Sequence, residues 1–218
     1  MGNDLKGCIF DLDGVLVNTA RYHYLAWKRL ASELGFEFSE RDNESLKGVS
    51  RMRSLEILLV SGNIKADAME KERLAAKKNE WYLDYITKLS PADILPGSKE
   101  LIISLREKGI KTAVGSASNN AGLILDRLSL TDFFDVVIDG RRVSKAKPDP
   151  EVFVIAAREL DCRRSEVIVF EDAVAGVEAA KLAGMICVGI GNPATLSLAD
   201  KVVPGLGAIT YDELIKLI

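Results

Sequence analysis

The sequence predicts an α/β protein: a doubly wound, mostly parallel sheet with an α-helical cap inserted after its first strand. Three observations predict it. Short apolar runs recur that are continuous rather than alternating, the pattern of strands buried on both faces. Helical patterns of ordinary length separate the later runs, as in repeated β-α units. The stretch from Phe10 to Ile110 carries no convincing strand, although a crossover needs only about a dozen residues.

The runs fall at residues 5–10, 110–115, 136–138, 167–170 and 186–190, with a weaker one at 201–203. Helical patterns occupy 99–108, 121–128, 150–160 and 174–183, and right-handed crossovers join strand to strand. Within the long interval, Leu25, Leu30 and Leu34 recur after Thr19, and Leu55, Leu58 and Leu59 recur after Ser54. A charged stretch follows at 67–89. The segment Ser90-Pro91-Ala92-Asp93-Ile94-Leu95-Pro96-Gly97 punctuates its end as a linker does. The expected division is a core of residues 1–16 and 93–218 with a cap of residues 17–92. Thr19 and the 90–96 linker are the expected hinges.

Composition narrows the class of function. The 218 residues are 48% apolar and 28% charged with a formal charge of −3, which fits a soluble globular chain and gives no basic footprint for nucleic acid. No apolar stretch approaches the roughly 18 residues of a membrane span. Three cysteines (Cys8, Cys162, Cys187) in no paired spacing offer neither a disulfide framework nor a zinc site. Lys6 stands where a myristoylation signal wants Ser or Thr. A cytoplasmic monomer acting on a small molecule, with no nucleic-acid or membrane partner, is the expectation.

Ligands of an open parallel sheet bind beyond the carboxyl ends of its strands, so the residues that follow each run carry the chemistry. Strand one ends Phe10-Asp11-Leu12-Asp13-Gly14, and strand two ends Val114-Gly115-Ser116-Ala117-Ser118-Asn119-Asn120. Strand three leads to Lys147-Pro148, and strand four ends Phe170-Glu171-Asp172. Carboxylates, a small hydroxyl and a lysine on one rim suit phosphoryl transfer, where catalysis is chiefly alignment and charge neutralisation. Asp11 would be the carboxylate nucleophile. Asp11 and Asp172 offer oxygen ligands for Mg²⁺, with Glu171 as an outer-sphere helper and the Asp13 carbonyl as an extra ligand. Lys147 would neutralise phosphoryl charge, and Ser116 with the N–H groups around Ala117 would hold equatorial oxygens. Asp13 would serve as general acid and base if its pKa lies above that of Asp11.

The set Asp11-Leu12-Asp13-Gly14-Val15-Leu16, Ser116, Lys147-Pro148 and Glu171-Asp172 resembles the haloacid dehalogenase (HAD) superfamily, whose core is Rossmannoid. Within it the chain is most similar to the β-phosphoglucomutases. The marks are residues 19–27, Leu46-Lys47-Gly48-Val49-Ser50-Arg51, Lys77-Lys78-Asn79 and Ser90-Pro91-Ala92-Asp93. The resemblance implies interconversion of β-glucose 1-phosphate and glucose 6-phosphate. It also implies a β-glucose 1,6-bisphosphate intermediate that doubles as activator, and phosphorylation of Asp11. It places His23, Trp27, Lys47, Gly48, Val49, Arg51, Lys78, Ser116, Ala117, Ser118, Asn119 and Asn120 against the substrate. Two positions depart from the pattern: Asn18 replaces an acidic residue, and Asn119 stands where relatives often carry lysine.

A mutase must bind a second phosphate and exclude water, so it wants cations on the cap facing the core. Arg51 fits best, because a guanidinium clamps phosphate with directed N–H groups. His23 shares a helical face with Trp27, Leu30 and Leu34; it either packs there or hydrogen-bonds Asp13 or the sugar on closure. Two rival readings stay open: a sugar-phosphate or phosphoglycolate phosphatase on the same core, and a non-catalytic phosphometabolite sensor.

Overall fold

The computed structural model describes residues 4–46 and 48–218. In chain order the elements are β1 (Gly7–Phe10), α1 (Ala20–Glu33), α2 (Glu40–Glu44), α3 (Arg51–Ser61), α4 (Ala68–Ile86), α5 (Ser98–Glu107), β2 (Lys111–Gly115), α6 (Ala121–Arg127) and β3 (Val136–Ile138). There follow α7 (Glu151–Glu159), β4 (Val167–Glu171), α8 (Val174–Leu182), β5 (Ile186–Ile190), β6 (Lys201–Val203) and α9 (Tyr211–Leu214). The six strands form one sheet in the order β3-β2-β1-β4-β5-β6, and every pairing is parallel.

The order explains the continuous apolar runs. β1 and β4 lie in the middle with helices on both faces, so every residue of Gly7–Phe10 and Val167–Glu171 is buried. Phe10 stacks on Phe170 at 4.6 Å between ring centroids, filling one face of the sheet. Ile9, Val169 and Phe153 fill the other. β1 and β4 pair residue for residue, Phe10 opposite Phe170, so the two acidic loops leave the sheet side by side.

The interval between β1 and β2 is helical. Ser50 caps α3 by accepting from the Arg53 N–H at 3.3 Å, and Asp67 caps α4 by accepting from the Glu70 N–H at 2.8 Å. Trp27, Leu30, Leu55, Leu58, Tyr82 and Ile86 pack among these helices. Leu25 differs from expectation: it is exposed, because five residues of helix turn it about 140° away from Leu30. Where the chain passes between core and cap, the two crossing segments hold each other. The Leu95 N–H donates to the Leu16 carbonyl at 2.9 Å, Val17 bridges Ile94, and Arg21 lies 3.7 Å from Asp93. Among the described residues no helix is long and apolar enough to cross a membrane.

Candidate active site

The carboxyl ends of β1, β2 and β4 converge on a buried ammonium. Lys147 Nζ donates to Asp11 Oδ1 at 2.6 Å, to Glu171 Oε1 at 2.5 Å and to the Gly115 carbonyl at 3.0 Å. Its side chain is 1% exposed, and all three donor positions are used. Burial works against its charge, but Asp11 and Glu171 outweigh that and leave its pKa raised. The other oxygen of Glu171, Oε2, accepts from the Ala173 N–H at 2.9 Å, so this carboxylate is held at both ends.

Asp11, Glu171 and Asp172 form an acidic cluster whose ligand oxygens lie within 4.8 Å of one another. Burial pushes the Asp11 carboxyl up to about 8, Glu171 and Asp13 add to the shift, and Lys147 opposes it. A divalent cation offsets the mutual repulsion of carboxylates held this close, and an all-oxygen donor set suits Mg²⁺. The residues therefore fit that ion. Gly14 keeps the cluster compact: its φ is +85°, and a Cβ there would stand 2.1 Å from Asp172 Oδ2.

Asp13 points elsewhere. Its Oδ1 accepts from the hydroxyl of the buried Thr19, so it lends no carboxylate to the acidic cluster. Burial raises its pKa to about 6; Lys147 and Lys78 pull down, and Glu171 pushes up. This lies below the value of about 8 at Asp11, the reverse of the expected order, because beyond burial Asp11 bears the like charges of both Glu171 and Asp13. Ser116 is buried at the end of β2, and its hydroxyl accepts from the Ser118 N–H at 3.1 Å. The Asn120 N–H donates to Ser118 Oγ at 3.2 Å, which orders the same loop.

A cavity of about 840 Å³, mouth included, joins these groups to the cap. Its core wall includes Asp11, Asp13, Asp172 and residues 116–120, and its cap wall includes His23, Trp27, Gly48, Val49, Arg51 and Lys78. Lys147 and Glu171 lie behind the core wall, and Lys47 lies outside the described residues. Lys78 is 2% exposed and sits over the rings of Trp27 and Tyr82 at 4.5 and 4.7 Å. Its Nζ lies 2.8 Å from His23 Nδ1, at hydrogen-bond distance. Burial, with Lys78 and Arg51 nearby, lowers the His23 pKa well below the usual value, which favours the neutral ring. Burial first, and then Arg51, also lower Lys78. Gly48 has a φ of +72°, and a Cβ there would meet the Ala173 methyl at 2.8 Å. The cap loop is thus seated directly on the start of α8.

The model of the haloacid dehalogenase-like hydrolase family matches residues 5–184. The chain belongs to this family. Among curated haloacid dehalogenase relatives, the chain is 42% identical to β-phosphoglucomutase of Bacillus subtilis, over 96% of this chain and 94% of that one. It is 32% identical to a phosphorylated carbohydrates phosphatase of Thermotoga maritima, over 83% and 82%. A crystal structure of β-phosphoglucomutase from Clostridium difficile superposes with a TM-score of 0.94 at 39% identity, covering 97% and 96% of the two chains.

Sequence reasoning missed three participants. Thr19 was legible only as a hinge, not as the donor to Asp13. Tyr82, four residues after Lys78, forms the floor under both Lys78 and His23, its ring 4.0 Å from that of His23. Asn79 lines the cavity; its only signal was its place next to Lys78.

Proposed function

We propose that this haloacid dehalogenase-family protein is a phosphomutase interconverting β-glucose 1-phosphate and glucose 6-phosphate through β-glucose 1,6-bisphosphate. The observation that supports the reading is the two-ended cavity, with Asp11, Asp13 and Asp172 on its core wall and Arg51 on its cap wall. A phosphatase needs only the first end.

In this reading Asp11 carries a phosphoryl group as an acyl phosphate. A sugar hydroxyl attacks phosphorus and its proton passes to Asp13; the bond from phosphorus to the Asp11 oxygen breaks, giving the bisphosphate. The bisphosphate turns end for end. Its other phosphoryl group returns to Asp11 while Asp13 gives the proton back to the departing sugar oxygen. Lys147 neutralises the nucleophile and the phosphoryl oxygens, and Ser116 with the Ala117 N–H orients those oxygens. Arg51 grips the resting phosphate, with residues 118–120 across the cavity and Gly48 and Val49 on the cap loop. His23, Trp27 and Lys78 border the sugar. Mg²⁺ held by Asp11, Asp172 and the Asp13 carbonyl, with Glu171 behind them, would cancel repulsion between carboxylate and phosphoryl group.

The phosphatase relative supports a second reading, in which water discharges Asp11. A coupled assay separates them. With Mg²⁺ and a trace of the bisphosphate, β-glucose 1-phosphate should yield glucose 6-phosphate, and more slowly without the primer. Release of inorganic phosphate equal to substrate consumed, regardless of primer, would establish the phosphatase.

A further inference from the structure

Asn79 belongs to α4 on the cap, and Asn120 stands at the start of α6 on the core. Asn120 Nδ2 donates to Asn79 Oδ1 at 3.0 Å, joining residues 41 apart in sequence across the cleft. Both line the cavity. The bridge uses one group of each amide, which leaves Asn79 its NH₂ and Asn120 its carbonyl for a ligand. Asparagine side chains are short, so a cleft wider by about 1 Å leaves no hydrogen bond between them. The bridge therefore exists only while the cap rests on the core.

We infer that Asn79 is a positioning residue: bridged to Asn120, it holds the cap shut and so sets whether the acyl phosphate meets a sugar hydroxyl or water. In both cases the bond from phosphorus to Asp11 breaks and the acceptor proton goes to Asp13. With water the product is inorganic phosphate, and with sugar it is the bisphosphate. The cap loop at Gly48 seats against Ala173 independently, so loss of the bridge loosens the closed state without abolishing it. The inference rests on the mutase reading for its chemistry, but the closure it invokes does not.

Two measurements on the full chain test it. The first is the ratio of inorganic phosphate released to glucose 6-phosphate formed from β-glucose 1-phosphate with primer and Mg²⁺. Asn79→Ala should raise that ratio about fivefold, the factor one ordinary hydrogen bond sustains. Asn120→Ala should do the same, and the double variant should exceed neither single one. Asn79→Asp keeps the acceptor for Asn120, so it should restore the low ratio while raising KM by charge repulsion. An unchanged ratio in Asn79→Ala, or equal slowing of both products, overturns the inference. The second is small-angle scattering with Mg²⁺ and glucose 6-phosphate, where Asn79→Ala should be more expanded than wild type and Asn79→Asp should not. If wild type forms no glucose 6-phosphate, the mutase reading fails, and scattering alone decides: identical profiles overturn the bridge and an expanded variant supports it.

Discussion

Replacing Lys147 with methionine removes a buried charge at the centre of the site. The ammonium holds Asp11 and Glu171 at 2.6 and 2.5 Å and is 1% exposed. Methionine nearly fills the volume, so the loss is chiefly electrostatic. Removing one partner of a buried ionic group costs about 3–5 kcal/mol, because the other charges stay behind unpaired. At about 2–4 °C per kcal/mol for a chain of this size, melting should fall by roughly 10 °C in chelator. The loss should grow with pH. In the wild type the Asp11 carboxyl is pushed up to about 8 with Lys147 pulling it down, so without the ammonium it keeps its proton to still higher pH, and the variant falls further behind wild type as pH climbs past 8. Mg²⁺ should restore part of the loss by neutralising the same carboxylates. Lys145→Ala is the control: its pair with Asp149 at 3.4 Å is 71% exposed on the lysine side, and such pairs contribute at most about 1 kcal/mol. Calorimetry in chelator at pH 6 and pH 8.5 is the assay. A Lys147→Met midpoint within about 2 °C of wild type at both pH values would refute the electrostatic account.

Three further outcomes follow from the same geometry. The raised Asp11 pKa means that protonation favours the folded state. Its own contribution is therefore lost as pH climbs from about 4, the ordinary carboxyl value, to about 8, against the opposite slope that the lowered His23 and Lys78 pKa values impose. Melting curves in chelator should show wild type losing stability relative to Asp11→Asn across that range, with a smaller relative change in Mg²⁺; a wild type that gains on Asp11→Asn would contradict the assignment. Gly48→Ala should lower kcat/KM by about 10- to 100-fold with little change in melting, since its φ of +72° and the 2.8 Å approach to Ala173 oppose seating of the cap loop. Equal loss of stability would show a folding defect instead. His23→Ala should cut turnover far more than stability, because it removes the partner of Lys78 and a ring against the cavity; parallel losses in rate and melting would favour simple packing.

The sheet was legible because burial on both faces leaves no alternation: the runs around Phe10, Val114 and Phe170 read as strands directly. The acidic rim was legible for a related reason, since each polar motif begins where an apolar run stops. What escaped was pairing across sequence distance. Nothing local marks Asn79 as the partner of Asn120, because that contact appears only once the cap folds back on the core. Thr19 reaches Asp13 through the turn between them, and Glu171 is pinned by Lys147 from a loop 24 residues away and by the Ala173 N–H, geometry that no sequence pattern specifies. Leu25 shows the limit within one helix: apolar spacing suggested a face, but its five-residue offset from Leu30 turns it to solvent.

Following the fate of a labelled phosphoryl group tests the central claim most directly. Protein charged with isotopically labelled bisphosphate and quenched in acid should carry the label on the peptide containing Asp11. An unlabelled β-glucose 1-phosphate chase should then move it into sugar phosphate. Label that never appears on that peptide, or leaves it only as inorganic phosphate, would contradict the account.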